Sequence, residues 1–204
     1  MSSIYDLKAR FQKLLMPVAH SFRRAGLTPN VVTLIGIGGS IIIGVLLFFA
    51  SARSAMLFLL SIWLFARMAL NAIDGLIARE FNLATTLGAM LNEAGDVISD
   101  LALYLPLAFV HKPAAWPIVA FCIGAIGTEF CGLLCQSVGA SRRYDGPMGK
   151  SDRAFFVGAL ALLTGILPLV LRHWFWLFII ATVLTFITCV NRILKALAEM
   201  KKKS

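Results

Sequence analysis

The stretch Val31–Ala50, VVTLIGIGGSIIIGVLLFFA, carries no charged side chain over its whole length. A membrane-spanning helix needs about 20 mostly apolar residues, because the hydrocarbon core of a bilayer is about 30 Å thick. This stretch therefore predicts a transmembrane helix. Further apolar runs follow along the chain at Ala55–Ala78, Leu87–Val110, Ala115–Val138, Ala154–Leu171 and Trp174–Leu194. We expect an all-α integral membrane protein with six transmembrane helices.

The composition agrees with this fold class. Hydrophobic residues make up 59% of the 204 residues and charged residues only 14%, against about 25% charged in an ordinary soluble domain. This balance excludes a soluble enzyme, a disordered chain and a secreted disulfide scaffold. We expect one membrane domain over residues 1–204, with the six-helix bundle at 31–194. The four cysteines lie in apolar runs, which favours packing over metal binding or redox chemistry.

The first 25 residues have a different pattern. Apolar residues recur here at intervals of three and four, and basic residues lie off that stripe; the stripe is Ile4, Leu7, Phe11, Leu14, Val18 and Phe22. A signal peptide would separate its charges from its apolar core, whereas this segment interleaves them. The pattern predicts an uncleaved amphipathic helix lying in the membrane interface.

The basic residues predict the orientation. The net charge is +9, which in a soluble protein would suggest nucleic acid. Cytoplasmic loops of membrane proteins collect Lys and Arg, and this explanation is better here, so we expect no nucleic-acid partner. With both termini inside, the outer loops keep only Arg53, Lys112 and Arg172. We therefore expect the bacterial inner membrane, with both termini and the active site cytoplasmic.

The acidic residues point to a site. Five of them lie within or at the ends of apolar runs, where an unpaired charge is costly; they are Asp74, Glu93, Asp96, Asp100 and Glu129. Helical spacing places one polar stripe on the second span and another on the third. The second-span stripe is Arg67, Asn71, Asp74, Gly75 and Ala78, and the third-span stripe is Gly88, Asn92, Glu93, Asp96 and Asp100. A short link joins the spans, so we expect antiparallel neighbours whose stripes face each other.

These stripes allow three interpretations: packing alone, metal-assisted chemistry and ion transport. Arg67 pairing with Asp74 purely for packing would explain one acid, but not four at the facing ends of two spans. Oxygen-only ligands suit Mg²⁺ or Mn²⁺ rather than zinc, and small residues such as Gly75 and Gly88 allow close helix approach or admit a ligand. The pattern favours metal-assisted phosphoryl chemistry on a lipid. The rival is a small ion transporter, but its polar groups should run through the full membrane depth.

The same residues resemble a family signature. The segment from Asn71 to Asp96 is similar to D-x2-D-G-x2-A-R-x8-G-x3-D-x3-D of the CDP-alcohol phosphatidyltransferases, with every spacing kept. Asn71 and Asn92 replace two of the four aspartates. Thr28-Pro29-Asn30 and Thr33 resemble the family's entry to its first span. The likeness is closest to an enterobacterial inner-membrane branch with the same Asn substitutions and a similar segment at Gly149–Arg153.

The resemblance implies a reaction and roles for the residues that match. CDP-diacylglycerol or a related CDP-linked donor would bind between the second and third spans with divalent metals, Mg²⁺ or Mn²⁺. An alcohol acceptor would attack the phosphorus and release CMP. Asp96 holds the position of the general base. The metal positions are Asn71, Asp74, Asn92 and Asp96, and the nucleotide positions are Asn30, Thr33, Asp74, Gly75, Ala78, Arg79 and Gly88. A homodimer is implied by the family alone.

The two asparagines leave three interpretations open, because an amide oxygen can bind a metal but brings no charge. In the first, Glu93 and Asp100 supply the missing charge and rebuild the metal site. In the second, the enzyme uses a single metal ion. In the third, the protein binds the CDP-linked donor but does not catalyse transfer. We favour retained transferase activity, because charged residues within membrane spans are costly and would not be kept without a function. For the acceptor we expect contacts from Glu129, Arg142, Arg143, Lys150 and Arg153. The four basic residues of this set indicate a phosphate or carboxylate on the acceptor. They are equally explained by the positive-inside rule for cytoplasmic loops.

Overall fold

The computed structural model of the protein describes residues 4–49 and 53–203, and side chains from residue 13 onward except those at 50–53 and 204. The described residues are mostly helical, with no strand in these ranges. The helices are α1 (Ile4–Arg24), α2 (Pro29–Phe49), α3 (Arg53–Glu80), α4 (Thr86–Tyr104), α5 (Leu107–Val110), α6 (Ala115–Ser137), α7 (Lys150–Ile166) and α8 (Trp174–Lys203). Two short 3₁₀ turns, Lys112–Ala114 and Pro168–His173, precede α6 and α8.

The membrane class predicted from the sequence is confirmed. Four segments of the described chain are long and apolar enough to cross a bilayer: Pro29–Phe49, Ser54–Glu80, Lys112–Ser137 and Pro168–Lys203. Large apolar side chains such as Phe65 and Phe186 lie exposed on the outside of the bundle, as they would against lipid. Helices α4 and α7 are not among these four segments: α4 carries Glu93, Asp96 and Asp100, and α7 has only 17 residues. The count of six spans stays a prediction.

Several predicted boundaries were wrong. The third run, predicted to continue to Val110, ends its helix at Tyr104, and Pro106 opens the separate short helix α5; proline cannot donate to the preceding turn. The fifth predicted span, Ala154–Leu171, corresponds to α7, which begins earlier, at Lys150. The Asp152 carboxylate accepts a hydrogen bond from the Gly149 amide and so caps the N-terminus of α7. The same helix ends at Ile166 and a 3₁₀ turn follows.

The bundle has a large apolar core at one end. Trp174, Phe121, Phe178 and Tyr104 are fully buried there, and the Trp174 indole donates to the hydroxyl of Thr164. A second, smaller core lies at the other end, where Ala19 of α1 packs with buried residues of α2 and α3. The predicted N-terminal helix is therefore present, and it packs beside the end of α3 that carries the signature residues.

The packing of α3 and α4 differs from the prediction. Helix α4 packs on α2, and α3 packs on α2 and α7, whereas α3 and α4 are not among the closely packed pairs of the described segments. Gly44 of α2 permits this arrangement, because a Cβ there would overlap the backbone of Ala102 in α4. The two polar stripes do face each other, but across a gap that their own side chains fill.

Candidate active site

The site lies where the end of α3, the start of α4 and the start of α2 meet. We use the term signature face for the residues that line this meeting point: Thr33, Asn71, Asp74, Gly75, Arg79, Gly88 and Asn92. The N-terminus of α4 is fixed by the Thr85 hydroxyl, which accepts from the amide of Gly88 at 3.0 Å. Such N-caps stabilise a helix start, so the α4 stripe begins at a defined residue.

Asp74 is the buried carboxylate of the signature face. Its Oδ2 accepts from the Thr33 hydroxyl at 2.8 Å and from the Asn92 amide at 3.3 Å. Its exposure is 4%. No Lys or Arg nitrogen among the described side chains lies in ion-pair distance of it, so Arg67 does not pair with Asp74, contrary to the packing interpretation. A buried carboxylate without a cation is costly, and Asp74 is therefore the site's natural position for a cationic ligand.

Asp96 lies opposite, on α4, and has several donors. Its Oδ1 accepts from the Asn71 amide at 2.9 Å and from Arg67 at 3.4 Å. Its Oδ2 accepts from the Lys150 ammonium at 2.5 Å. The Lys150 side chain is a third exposed and stands on the first turn of α7, so it can leave without disturbing the buried core.

The predicted nucleotide residues gather on the open side of the signature face. A Cβ at Gly88 would lie 2.7 Å from the Asn30 side-chain oxygen, so glycine permits α2 and α4 to meet here. A Cβ at Gly75 would lie 3.3 Å from the guanidinium of Arg79, the mobile end of a flexible side chain. Arg79 is exposed and makes no ion pair with any described side chain. Ala78 is small and half-buried, which leaves this side accessible to a ligand.

The other predicted residues form a buried cluster of charges behind the signature face. We call it the ion network; its members are Arg67, Glu93, Asp96, Asp100, Glu129, Arg142, Lys150, Arg153 and Arg192. Arg67 donates to Asp100 Oδ1 at 2.7 Å, and Arg153 donates to Asp100 Oδ2 at 2.9 Å. Both oxygens of Asp100 are thus held by arginines. Exposure of Asp100 is 2% and of Arg153 0%.

Arg142 reaches into the ion network from the loop between α6 and α7. It binds Glu93 through two nitrogens, with Nε at 3.0 Å from Oε1 and Nη2 at 2.6 Å from Oε2. The same Nη2 lies 3.0 Å from Glu129 Oε2. Gly132 makes this reach possible, since a Cβ at that position would overlap the guanidinium. Both carboxylate oxygens of Glu93 are therefore also held by an arginine.

Glu129 is the centre of the network. Arg153 donates to its Oε1 at 2.9 Å, and Arg192 Nη1 lies 3.9 Å from its Oε2 while donating to the backbone oxygen of Thr128. Arg153 also donates to the Thr128 hydroxyl at 2.7 Å. Charge-assisted bonds of this kind are roughly twice as strong as neutral ones. They fix the relative positions of α4, α6, α7 and α8.

The loop outside the bundle is tied down separately. Arg143 binds Asp145 at 2.9 Å and Glu199 of α8 at 3.2 Å, so it is directed away from Asp96 and toward the end of α8. The hydrogen bond from Lys195, together with the charge of Arg143, holds the pKa of the Asp145 carboxyl below its ordinary value. These contacts anchor the loop that delivers Arg142.

The donor chemistry fits one hard divalent cation. Among the residues that the structure describes there is no group of three or more His, Cys, Asp or Glu positioned to hold a metal. Asp74 and Asp96 nevertheless bring carboxylates to one place, and the amide nitrogens of Asn71 and Asn92 donate to them, so that rotation of either amide would offer its oxygen as a ligand. Such oxygen-only sets suit Mg²⁺ and Mn²⁺. A second cation would need Glu93 or Asp100, whose oxygens all accept from arginines.

Sequence reasoning missed part of the site. Arg67 was placed on the stripe but not assigned to the site, and Arg192 and Thr128 were not assigned at all. Each arginine interrupts an apolar run, which is a usable signal because isolated charges in spans are retained for a reason. Their partners, however, lie 25 to 64 residues away along the chain, and helical periodicity carries no information on such pairs.

The chain belongs to the CDP-alcohol phosphatidyltransferase family, whose sequence profile matches residues 26–189. The family resemblance seen in the signature is confirmed. The chain is 44% identical over 190 residues to the inner membrane protein YnbA of Escherichia coli (strain K12), covering 93% of this chain and 94% of that protein.

Its fold is similar to crystal structures of the phosphatidylinositol phosphate synthase PgsA1 of Mycobacterium tuberculosis. The structure with CDP-DAG bound has a TM-score of 0.75 and 25% identity, and the match covers 90% of this chain and 94% of that one. The structure in complex with manganese and citrate also has a TM-score of 0.75 and 25% identity, with coverages of 89% and 88%.

Proposed function

We propose that this protein transfers a phosphatidyl group from CDP-diacylglycerol, or a related CDP-linked lipid, to an alcohol and releases CMP, in phospholipid biosynthesis. The observation that carries the proposal is the signature face. Among the described side chains Asp74 is a buried carboxylate without a cation and Arg79 is an exposed arginine without an ion pair, and the Arg79 guanidinium lies against Gly75, the residue after Asp74. Together they suit a diphosphate that arrives with a divalent cation. The relative with CDP-DAG bound supports this choice of donor.

The metal ligands in this proposal are Asp74 and Asp96, with the amide oxygens of Asn71 and Asn92. Glu93 and Asp100 would have to leave their arginines to join them, so we favour the one-metal interpretation. A divalent cation, when bound, offsets the charge of the diphosphate. The manganese complex of PgsA1 supports a divalent metal at this fold.

The reaction proposed here is a displacement at phosphorus. The acceptor oxygen forms a bond to the phosphorus that carries diacylglycerol, and the bond from that phosphorus to the bridging oxygen breaks. The bridging oxygen leaves with its electron pair as part of CMP. Asp96 Oδ2 takes the acceptor's proton, which requires that Lys150 first withdraw from its 2.5 Å contact. Arg79 and the small residues at 75, 78 and 88 hold the nucleotide end.

Release of CMP tests this proposal. Purified protein in lipid nanodiscs would receive CDP-diacylglycerol, Mg²⁺ or Mn²⁺, and the small-molecule fraction of a bacterial extract, with lipid products weighed by mass spectrometry. We expect CMP and a new phospholipid in equal amounts. The variant Glu80→Gln, which changes an exposed acid without an ion pair to the described chain, should match wild type. If the protein binds the donor but releases no CMP, it is a CDP-lipid-binding protein without transferase activity. If it conducts ions and releases no CMP, it is an ion transporter.

We further propose that the site faces the cytoplasm from the bacterial inner membrane. The similarity to an E. coli inner membrane protein supports the membrane, and a charged nucleotide cannot cross hydrocarbon. Single cysteines in a Cys-free background, probed on intact cells with a membrane-impermeant thiol reagent, would decide the side. We expect labelling at 112 or 173, and at 145 only after the membrane is opened. The reverse pattern would remove the donor's route to Asp74.

A further inference from the structure

The cations near Asp96 are already occupied by carboxylates of the chain itself. Arg142 is bound by Glu93 and Glu129, Arg153 by Asp100 and Glu129, and Lys150 by Asp96. A site that recognises a phosphate or carboxylate on its ligand usually presents guanidinium or ammonium groups free to bind it bidentately. Here the donors that would do so point at acidic side chains.

The charges of the ion network and the signature face nearly balance without an acceptor. The ion network has five cationic side chains and four acidic ones, and the signature face adds one of each, Arg79 and Asp74; the cations of the network are Arg67, Arg142, Lys150, Arg153 and Arg192, and its acids are Glu93, Asp96, Asp100 and Glu129. The diphosphate of a CDP-linked donor arrives with the divalent cation that offsets it. An acceptor phosphate would find no free guanidinium in the ion network to bind it bidentately, because Lys150, once withdrawn from Asp96, supplies only a single point charge.

The arginine positions are part of the fold and do not depend on a ligand. The absent Cβ of Gly132 provides the space for Arg142. Arg153 is fully buried and uses all three of its nitrogens on Asp100, Thr128, Met148 and Glu129. Turning either arginine toward an incoming phosphate would leave a buried carboxylate unpaired, which is strongly unfavourable.

We propose that the acceptor is an uncharged alcohol, and that Glu93 and Glu129 determine this specificity by occupying the arginines that an acceptor phosphate or carboxylate would need. This inference rests on the proposed transferase function. Hydroxyl groups of such an acceptor fit the site, because carboxylate oxygens accept further hydrogen bonds beyond those shared with arginine. Glu93 is the accessible member, with a side chain 28% exposed, and stands one residue from the signature position Asn92.

The first experiment compares acceptor classes. A bacterial small-molecule extract is separated by anion exchange into an uncharged and an anionic fraction, and each is given to the protein with CDP-diacylglycerol. We expect CMP release with the uncharged fraction, and at least about tenfold less with the anionic one. Equal or greater release with the anionic fraction would overturn the inference while leaving the transferase function intact. Absence of CMP with both would count against the transferase function, and the second experiment then decides this inference.

The second experiment does not need turnover. Binding of inorganic phosphate is measured by equilibrium dialysis without donor or divalent metal, for wild type, Glu93→Gln, Glu129→Gln and the control Glu80→Gln. We expect wild type and control to bind equally weakly, and the Glu93→Gln variant about tenfold more tightly. The gain should vanish when Arg142→Gln is added. Phosphate binding by wild type as tight as that by Glu93→Gln would contradict the inference. Because Glu93 is only half-buried, the Glu93→Gln variant should fold and keeps the test valid even if Glu129→Gln does not fold.

Discussion

The signature face and the ion network lie side by side and differ in how their charges are met. On the signature face Asp74 has only neutral donors, Thr33 and Asn92, and Arg79 has no acid among the described side chains. In the ion network every carboxylate has at least one arginine or lysine. The difference teaches that charge alone does not mark a ligand site in this protein. We propose that the unpaired charges of the signature face bind the ligand; the paired charges of the ion network hold helices together.

Asp96 belongs to the ion network and also accepts a hydrogen bond from Asn71 of the signature face, so its replacement gives the largest effect. Asp96→Asn removes the proposed proton acceptor and one metal ligand, and we expect transfer to fall by roughly 10²–10⁴-fold, the range of a general base. The protein should remain folded in the membrane, because Asn can still accept from Arg67. Transfer is followed as CMP release, with Glu80→Gln as the control. Wild-type turnover in the variant would exclude both roles of Asp96.

Replacing one arginine from each region separates stability from binding. Arg153→Met leaves Asp100 and Glu129 without their shared buried partner and should cost about 3–5 kcal/mol of unfolding free energy. Arg79→Met, at an exposed position, should change stability by no more than about 0.5 kcal/mol but weaken donor binding. Denaturation in detergent and titration with CDP-diacylglycerol would measure both quantities for both variants. Loss of stability with Arg79→Met, or none with Arg153→Met, would show that the two regions are not divided as described.

Restoring the family carboxylates should extend the signature face without involving the ion network. Asn71→Asp and Asn92→Asp each add a negative charge beside Asp74 or Asp96, and we expect the two together to tighten Mn²⁺ binding by roughly tenfold or more. Under the one-metal arrangement Glu93→Gln should leave Mn²⁺ affinity unchanged and add independently to these changes. If Glu93 instead compensates for the asparagines, Glu93→Gln alone would lower affinity, and the restored aspartates would remove that loss.

The smallest effect is expected in the loop that delivers Arg142. The pKa of Asp145 is lowered by its contacts with Lys195 and Arg143, so its contribution to stability is present above the unfolded-state pKa of about 3.9 and is lost as the pH falls through the lower folded-state value. Asp145→Asn should therefore lower unfolding free energy by less than about 1 kcal/mol at neutral pH. The gap to wild type should begin to narrow below about pH 4 and close once the pH is below the folded-state pKa. A gap that persists in acid would point to shape, not charge, at this position.

The sequence predicted the class of fold and the line of the signature face because both depend on periodicity. The spacing of Asp74, Gly88, Asn92 and Asp96 along two helices is enough to put them on facing stripes. The pairing of Arg67 with Asp100 instead of Asp74 was beyond such reasoning, since it depends on which helices pack together. Arg142 is a similar case, because its position depends on a glycine on another helix. The helix break at Pro106 could have been predicted, because proline interrupts helices. It was missed because the residues on both sides of Pro106 are apolar.

The measurement that tests the division most directly is a crystal structure with CDP-diacylglycerol and Mn²⁺, in which anomalous scattering locates the metal. We predict a manganese peak in contact with Asp74, with the diphosphate beside it and Arg79 on the nucleotide. Arg142 should still bind Glu93, and Arg153 should still bind Asp100. A manganese peak on Glu93 or Asp100, with their arginines turned away, would contradict the account.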